Sequence, residues 1–525
     1  MPRYAHGAAW VAALAALWVY AVTLSPTVTW RNHGEDSGDL LVASATLGIP
    51  HPTGYPLYVV LGRVASLVPL GSVAYRINLV SALAGAASVY FLARWILELA
   101  PRALGPSAAV FGAVLGALLY AFSRGAWSQS VLAEVYTLNV AILGASLWAI
   151  ARADRTGSAR WLFLSAYLLG LGLANHLLIL AAAPALLVAA GRRVVSRKIG
   201  FAGIVLLLLL VLWGVSLDLY LPIRASRGPE FSWGVPNTAE RLWWVLTGAQ
   251  YARNFFERSL PEALAHLVPG RWPVDFGTGL LLLGAGLVAC AALALRSRGR
   301  PAEGAERGWI GPLLPGLAAL LASGTLLSAY SIVDDVGYWM PVAYVACALA
   351  GAGLAGLWSL VRSSGARGAL AVAASGLVLW GAARTWPEVD ASTDLVPYVY
   401  ARRSLEAVEP NALIVSEYDG RTFALWFYKA TEFRRSHPDL VVAYKYLLVW
   451  EWYRLHLAKR YPGLGVPPGN DDLDVLLNRI VARNIRKRPV YLVRDDPGLA
   501  PVFRTEPVGL PQLPLFRVRL VEPAP

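Results

Sequence analysis

The sequence predicts a polytopic α-helical membrane protein with a soluble α/β domain at its C-terminal end. Hydrophobic residues make up 57% of the 525-residue chain and charged residues only 15%, too little polar surface for an ordinary soluble globule. Long apolar runs recur along the first 385 positions, and about twenty such residues in a helix cross the roughly 30 Å hydrocarbon core. Beyond residue 385 charge rises, and short apolar stretches alternate with amphipathic ones.

The first run, Ala8 to Leu24, follows Arg3 as a signal peptide would, but Leu24-Ser25-Pro26 is a poor cleavage site and more apolar runs follow, so it reads as a retained helix. The full set of expected spans is 8–24, 77–97, 107–122, 134–151, 161–174, 177–190, 201–221, 277–295, 310–329, 338–360 and 368–384, eleven in all. Gly170, Gly172, Asn175 and His176 interrupt the pair 161–174 and 177–190, which as a single tilted helix is the alternative. Loop charge favours two helices. Arg3, Arg102, the Arg152/Arg155/Arg160 group, the Arg192/Arg193/Arg197/Lys198 group, the Arg296/Arg298/Arg300/Arg307 group, Arg362 and Arg367 then share one side. Short loops rich in Lys and Arg are cytoplasmic. This puts the N-terminus inside, and the loops 25–76, 123–133, 222–276 and 330–337 outside with the tail.

Residues 1–384 thus form the expected membrane domain and 385–525 the extracytoplasmic one. In the tail, strands are expected at Ala412–Ser416, Leu440–Lys445, Pro489–Arg494 and Leu515–Leu520, with helices near 421–435, 450–460 and 472–486. Such alternation is the pattern of an α/β layer.

Several functional classes are set aside. The net charge of +13 lies in short loops and forms no basic face, so no nucleic acid is expected as partner. Cys290 and Cys347 sit inside apolar runs without metal-ligand spacing. Gly351, Gly353 and Gly356 match a G-x-G-x-x-G pattern but follow no strand, so helix packing explains them better than a dinucleotide. The tryptophans Trp233, Trp243 and Trp244 read mostly as anchors at headgroup level.

Candidate chemistry gathers on the outer side. The first outer loop carries Glu35, Asp36 and Asp39 within five residues, followed by His51 and Tyr55 in the run His51-Pro52-Thr53-Gly54-Tyr55-Pro56-Leu57-Tyr58. Glycines and prolines there suit a rigid loop without regular structure. A carboxylate at the outer face of a membrane can take the proton of an attacking hydroxyl, with Asp36 the first choice as base and Glu35 and Asp39 its competitors; helix capping or a solvated linker is the plainer reading. Metal binding by these acids with His33 or His51 has no ligand spacing behind it, so no metal or other cofactor is expected. Arg76 and Asn78, Gln129, Glu134 and Tyr136, and Asn175 and His176 are polar groups costly to bury near lipid without partners. Arg224, Tyr251, Asp334 and Asp335 complete the substrate-binding candidates. An arginine such as Arg224 can hold a lipid phosphate or merely anchor a helix end, and one of the two Asp residues can serve a salt bridge.

The motifs Asp36-Ser37-Gly38-Asp39, His51-Pro52-Thr53-Gly54-Tyr55-Pro56-Leu57-Tyr58, Arg76-Ile77-Asn78-Leu79 and Glu134-Val135-Tyr136-Thr137-Leu138-Asn139 resemble the bacterial members of the family that contains the vertebrate transmembrane protein O-mannosyltransferase. The resemblance covers residues 10–190 best and extends through Gly172, Asn175, His176 and Pro184; it is looser around Arg224, Gln250-Tyr251 and Asp334. It implies a GT-C membrane glycosyltransferase, a polyprenyl-phosphate sugar donor, a protein, lipid or glycan acceptor, and a catalytic carboxylate in the first outer loop at Asp36. Where many relatives have Ser-Gly-Glu, this chain has Ser37-Gly38-Asp39.

The expected reaction is inverting transfer of a sugar, mannose by resemblance, with Asp36 as base and Arg76, His176 and Arg224 as phosphate contacts, in a bacterial inner membrane. The rivals are a lipid-linked glycan flippase, which would show discontinuous helices and inverted repeats, and a non-catalytic envelope-assembly scaffold.

Overall fold

The computed structural model describes residues 3–521 apart from 256, 260, 263, 264, 266–270, 297–309, 332–334 and 470. All eleven expected spans are helical, from Arg3–Val22 to Ser364–Val389. Among the described residues, seven helices are long and apolar enough to cross a membrane, or eight if Pro106–Ala121 and Arg124–Ser130, bent by 65°, form one span. Tyr136–Thr156, Arg160–Leu173 and Ile310–Ala329 are helices outside that set. The protein is therefore multi-pass. The uncertain hairpin is two elements, Arg160–Leu173 and Leu177–Val195. Between them the backbone of His176 is extended, and its Nδ1 accepts the Leu178 N–H at 3.1 Å.

The chain packs as two compact units. The first comprises Met1–Leu24, Asn78–Asp218 and Tyr251–Ser392. At its centre Val336–Leu360, rich in Ala and Gly, is buried nearly all round and packs against Pro106–Ala121 and Leu280–Arg296. A Cβ at Gly353 would fall 1.8 Å from the Gly286 carbonyl oxygen, and one at Gly351 2.7 Å from that of Gly112. The glycine pattern is thus a helix-packing device, as expected, because no larger residue permits this approach. Cys290 and Cys347 are buried and unbonded to each other. Arginines that set the predicted orientation also pair with acids: Arg152 with Glu98 at 2.7 Å, Arg192 and Arg193 with Asp154 at 2.8 and 2.9 Å.

The second unit comprises Ser25–Ile77, Leu219–Gln250 and Thr393–Pro525. Its sheet has five strands, β1 Leu413–Ser416, β2 Val441–Tyr444, β3 Val490–Leu492, β4 Phe503–Leu510 and β5 Leu513–Leu520, in the order β2-β1-β3-β5-β4. β1 runs parallel to both β2 and β3, while β3–β5 and β5–β4 are antiparallel. β1 to β3 are buried along their whole length, which is why they read as continuous apolar runs instead of alternating. The expected helices appear as Asp419–Thr431, Glu451–Arg460 and Leu473–Asn484. Strand β4 and helix Val396–Glu406 were not expected. β4 carries Pro507 and Gly509, which lower strand propensity, and is held by its hairpin partner.

The first outer segment departs from the expectation of an irregular loop. After a short 3-10 stretch at Arg31–Asp36 it forms helices Ser37–Thr46 and Pro56–Ser66. The apolar run Leu40-Leu41-Val42-Ala43 is fully buried, and tertiary burial overrides the glycines and prolines that suggested irregular backbone. Pro56 sits in the first turn of its helix, where it lacks no needed donor.

Candidate functional site

In the second unit, helix Ser37–Thr46 lies against Asp419–Thr431. Gly38 is the point of closest approach: a Cβ there would stand 2.8 Å from the backbone carbon of Phe423. The segment entering this helix is fixed from the tail as well. Asp394 accepts from the Thr29 hydroxyl at 2.5 Å and from the Trp30 N–H at 3.2 Å. Asn32 and His33 adopt left-handed backbone, with φ of 60° and 57°, a conformation disfavoured for residues with a Cβ.

The three acids of this segment end in different environments. Glu35 is exposed and Asp36 half-buried. Asp36 occupies the N-cap position of Ser37–Thr46, yet its side chain does not cap the helix, and the Ser37 hydroxyl donates to the Thr29 carbonyl at 3.2 Å instead. Helix capping, the plainer reading of Asp36, is therefore not what its side chain does here. Asp39 is buried; its Oδ2 accepts from the His51 backbone N–H at 2.8 Å and meets His51 Nδ1 at 2.9 Å. One carboxylate thus holds both the main chain and the ring of the next motif. The His51 ring is edge-on to Tyr55 and Trp233, at 5.0 and 6.2 Å between centroids, and the Tyr55 hydroxyl donates to the Pro52 carbonyl at 2.7 Å.

The tail supplies two groups that the sequence did not single out. The Tyr444 hydroxyl, at the end of β2, donates to the carboxylate of Asp419, in the first turn of helix Asp419–Thr431. Burial pushes the Asp419 carboxyl above the usual range; Tyr444 and His51 oppose this, while Asp39 and Glu35 add to it. Burial also pushes Tyr444 up, with Asp419 and Asp36 acting in the same direction. Asp419 and Tyr444 therefore lie within electrostatic reach of Glu35, Asp36, Asp39 and His51. Asp419 falls some 380 residues after this loop, and nothing in the linear pattern links them.

Beside Asp39 opens a narrow cleft with about 30 Å3 of water-accessible space, whose lining includes Glu230, Trp233, Trp426, Lys429, Trp452, His456 and Tyr461. Lys429 donates to Glu230 and, at 2.8 Å, to the Tyr461 hydroxyl, which itself donates to Glu230 at 2.7 Å. Burial alone would raise Glu230, but Lys429 and Tyr461 more than offset it, so its carboxyl lies below the usual range. Burial lowers Lys429 against the pull of Glu230 and lowers His456. Both members of the ion pair shift down because the lysine is the more deeply buried.

Arg76 and Arg224 serve the same unit as clamps. Arg76 donates to the carbonyls of Ser66, Ser72 and Gly71; Arg224 Nε donates to the Leu47 carbonyl at 2.7 Å. Among the three tryptophans read as anchors, only Trp243 is well exposed. Trp233 donates to Gln250 at 2.9 Å and Trp244 packs on Trp450, since rings that cover one another's faces bury more apolar area than a headgroup layer would accept from them.

The remaining sequence candidates belong to the first unit. Asn78, Gln129, Glu134, Asn175, His176 and Asp335 are buried, and Tyr136 and Tyr251 partly so. Four of them converge. Glu134 exchanges backbone hydrogen bonds with the Ser81 hydroxyl at 3.1 Å, Asn175 Nδ2 donates to the Val135 carbonyl at 3.0 Å, and the His176 ring stands 5.3 Å from Tyr136 and 5.7 Å from Tyr338. Asp334 lies outside the described residues. Among the described residues no three His, Cys, Asp or Glu side chains gather as metal ligands would.

Comparison with known proteins gives this geometry a context. Residues 36–197 match the family model of the protein O-mannosyl-transferase TMEM260 N-terminal domain. The mouse protein O-mannosyl-transferase TMEM260 is 26% identical over 459 residues, covering 83% of this chain and 62% of the relative. A Dictyostelium discoideum protein of the same description is 29% identical over 184 residues, or 32% of this chain and 21% of that one. The chain thus spans less than two thirds of the length of either relative. Among solved structures, ArnT from Cupriavidus metallidurans bound to undecaprenyl phosphate superposes with a TM-score of 0.60 at 14% identity, covering 97% of both chains. The Archaeoglobus fulgidus oligosaccharyltransferase gives 0.50 at 13% identity, covering 94% of this chain and 69% of that one. At such identities these matches establish the fold. Residues 36–197 carry the domain described by that family model, the chain is similar to TMEM260 proteins over most of its length, and it is built on the GT-C fold.

Proposed function

We propose that this protein is a membrane glycosyltransferase that moves a sugar from a polyprenyl-phosphate carrier to an acceptor hydroxyl at the extracytoplasmic face, with Asp36 as general base. The observation that carries the reading is the placement of Asp36: a half-buried carboxylate at a helix N-terminus, not engaged in capping that helix, at the start of the domain shared with proteins described as O-mannosyl-transferases. The carrier class is suggested by the undecaprenyl phosphate bound in the ArnT structure, and mannose by the relatives' description.

In this mechanism the acceptor oxygen attacks the anomeric carbon, the bond from that carbon to the carrier phosphate breaks with inversion, and Asp36 takes the acceptor proton. Such base assistance contributes about 10²–10⁴-fold in rate. Asp39 acts by holding His51, not as the base, because His51 already occupies its buried carboxylate. Glu35 faces solvent beside it. In the second unit Arg76 and Arg224 are the proposed contacts for the departing phosphate; in the first unit His176, Asn78, Gln129, Glu134, Tyr136, Asn175, Tyr251 and Asp335 are proposed polar contacts for substrate. No metal or other cofactor enters the reading. The acidic loop and the tail face the extracytoplasmic side, with the N-terminus inside.

The test is turnover of a panel of radiolabelled polyprenyl-phosphate sugars by the purified chain in nanodiscs, compared with Asp36→Asn. The expected result is donor-specific release or transfer that falls about 10²-fold or more in the variant. Undiminished turnover by Asp36→Asn would refute the assignment of the base.

A further inference from the structure

At the end of the first unit where the chain begins, the last turns of Val73–Leu99 and Tyr136–Thr156 come together with the first turn of Arg160–Leu173. Each of them carries arginine. Glu98 takes Arg152 at 2.7 Å and Arg155 at 3.4 Å, and Asp154 takes Arg192 and Arg193. Both acids are thereby engaged. Among the described residues Arg94 and Arg160 pair with no carboxylate: Arg94 donates to the Tyr90 hydroxyl at 2.6 Å and lies over aromatic rings, and Arg160 lies over an indole.

These two guanidinium groups flank one aromatic pair. Arg94 stands over the Trp148 ring at 5.2 Å, Arg160 over the Trp161 ring at 5.2 Å, and the two indoles meet edge to face with centroids 5.2 Å apart. A guanidinium held against a ring keeps its N–H edge for hydrogen bonds, and that fork matches a phosphate. Arg94 is half-buried and Arg160 exposed. Arg94 precedes by five residues the end of Val73–Leu99, a helix long and apolar enough to cross a membrane, and so lies about 7 Å inside that end. Beside it Trp10, 55% exposed, packs on Tyr90 at 4.5 Å. A cation at that depth without a carboxylate is costly unless an anion comes to it. Where hydrocarbon gives way to headgroups, the anion at hand is the lipid phosphate.

We propose that Arg94 and Arg160, on either side of the Trp148–Trp161 pair, hold the phosphate of an anionic phospholipid whose chains run along Trp10 and Tyr90. A zwitterionic headgroup fits less well, because its ammonium would lie among the neighbouring guanidinium groups of Arg152 and Arg155. The proposal stands apart from the transferase reading and uses none of the residues named there.

The experiment releases the full chain from nanodiscs of equal parts phosphatidylglycerol and phosphatidylcholine and counts the retained lipids by native mass spectrometry. Wild type is compared with Arg94→Gln, Arg160→Gln, the double variant and Lys198→Gln, which removes an exposed cation outside the cluster. Wild type is expected to retain phosphatidylglycerol over phosphatidylcholine about tenfold, the scale of one charge-assisted hydrogen bond. Each single variant should cut that preference about five- to tenfold, the double variant should show none, and Lys198→Gln should match wild type. Arg160 is exposed, so Arg160→Gln keeps the fold and decides the matter if Arg94→Gln fails to assemble.

Equal retention of the two lipids by wild type overturns the proposal, as does an unchanged preference in Arg160→Gln. So does a loss in Lys198→Gln as large as that in Arg160→Gln, which marks diffuse attraction by surface charge. Two further arms separate the sources of phosphate: inorganic phosphate added to phosphatidylcholine discs, and polyprenyl phosphate added to the mixed discs. An inorganic phosphate adduct without any preference for phosphatidylglycerol, or polyprenyl phosphate retained by wild type in place of phosphatidylglycerol, assigns the arginines to another ligand and overturns the proposal.

Discussion

Removing Glu230 should cost more than removing Lys429, although the two form one ion pair. The side chain of Lys429 is 7% exposed and that of Glu230 25% exposed, so each variant strands a different charge. Glu230→Gln leaves an ammonium that water cannot reach, and breaking a buried pair from one side costs about 3–5 kcal/mol. Lys429→Met leaves a carboxylate that water can reach, with Arg460 3.8 Å away and the Tyr461 hydroxyl still donating; its expected cost is about 1–3 kcal/mol. For a unit of this size roughly 2–4 °C accompany each kcal/mol, so Glu230→Gln should lower the unfolding temperature on the order of 10 °C.

The pH dependence has a definite sign. Burial already holds Lys429 below its ordinary value, partly restored by Glu230, and Glu230→Gln removes the restoring partner. A cation whose pKa is lower folded than unfolded gains native stability as pH rises from the folded towards the unfolded value. The deficit of Glu230→Gln should therefore shrink from pH 6.5 to pH 9. In wild type the opposite edge belongs to Glu230, whose lowered carboxyl contributes above the usual range and stops contributing as pH falls through its folded value. Thermal melts of both single variants and the Glu230→Gln/Lys429→Met double variant, at three pH values, give the answer. Equal single costs, additivity within about 0.5 kcal/mol, or a deficit that ignores pH would refute the reasoning.

Three further outcomes follow from the same unit. Asp39→Ala frees the His51 N–H and ring nitrogen from their shared acceptor and should destabilise by about 3 kcal/mol; a wild-type melting curve would show that Asp39 does not hold this turn. Gly38→Ala forces a Cβ against the Phe423 backbone and should cost about 1–3 kcal/mol, read by chemical denaturation, with an unchanged midpoint counting against the packing described. Asp419→Asn keeps an acceptor for Tyr444 but removes a carboxylate whose folded pKa is raised. An acid of that kind loses native stability as pH rises from its unfolded to its folded value, so the variant should melt above wild type at pH 7.5 and match it once pH falls below the carboxylate range; equal melts at both would contradict the burial of Asp419.

The sequence was most informative where one physical pattern dominates. Each of the eleven expected spans is helical, and alternation in the tail located four of the five strands among the described residues, because both signals are local. Among the described residues seven or eight of these helices are long and apolar enough to cross a bilayer by length and composition, and Tyr136–Thr156 and Ile310–Ala329, at 21 and 20 residues, carry the helical pattern outside that set. The acidic loop was found by residue type, but its helices were not, because the burial that stabilises Leu40 to Ala43 comes from residues beyond 393. The same reason hid Asp419, Tyr444 and the Glu230–Lys429 pair. Each is an ordinary residue in its own segment and acquires meaning only through a partner far along the chain.

The packing at Gly38 bears on what the tail does. If the tail were an acceptor-selecting module hung beside an independent acidic loop, the loop would carry its own supports. Instead Asp394 holds Thr29 and Trp30, helix Asp419–Thr431 receives Gly38, and Asp419 and Tyr444 stand in the electrostatic field of Glu35, Asp36 and Asp39. The position of the proposed base is thus fixed by contacts from the tail, and its field is shaped by tail residues. A chain truncated before Thr393 should lose the ordered loop and with it Asp36-dependent turnover toward every acceptor; loss confined to particular acceptors would instead identify the tail as a selector alone.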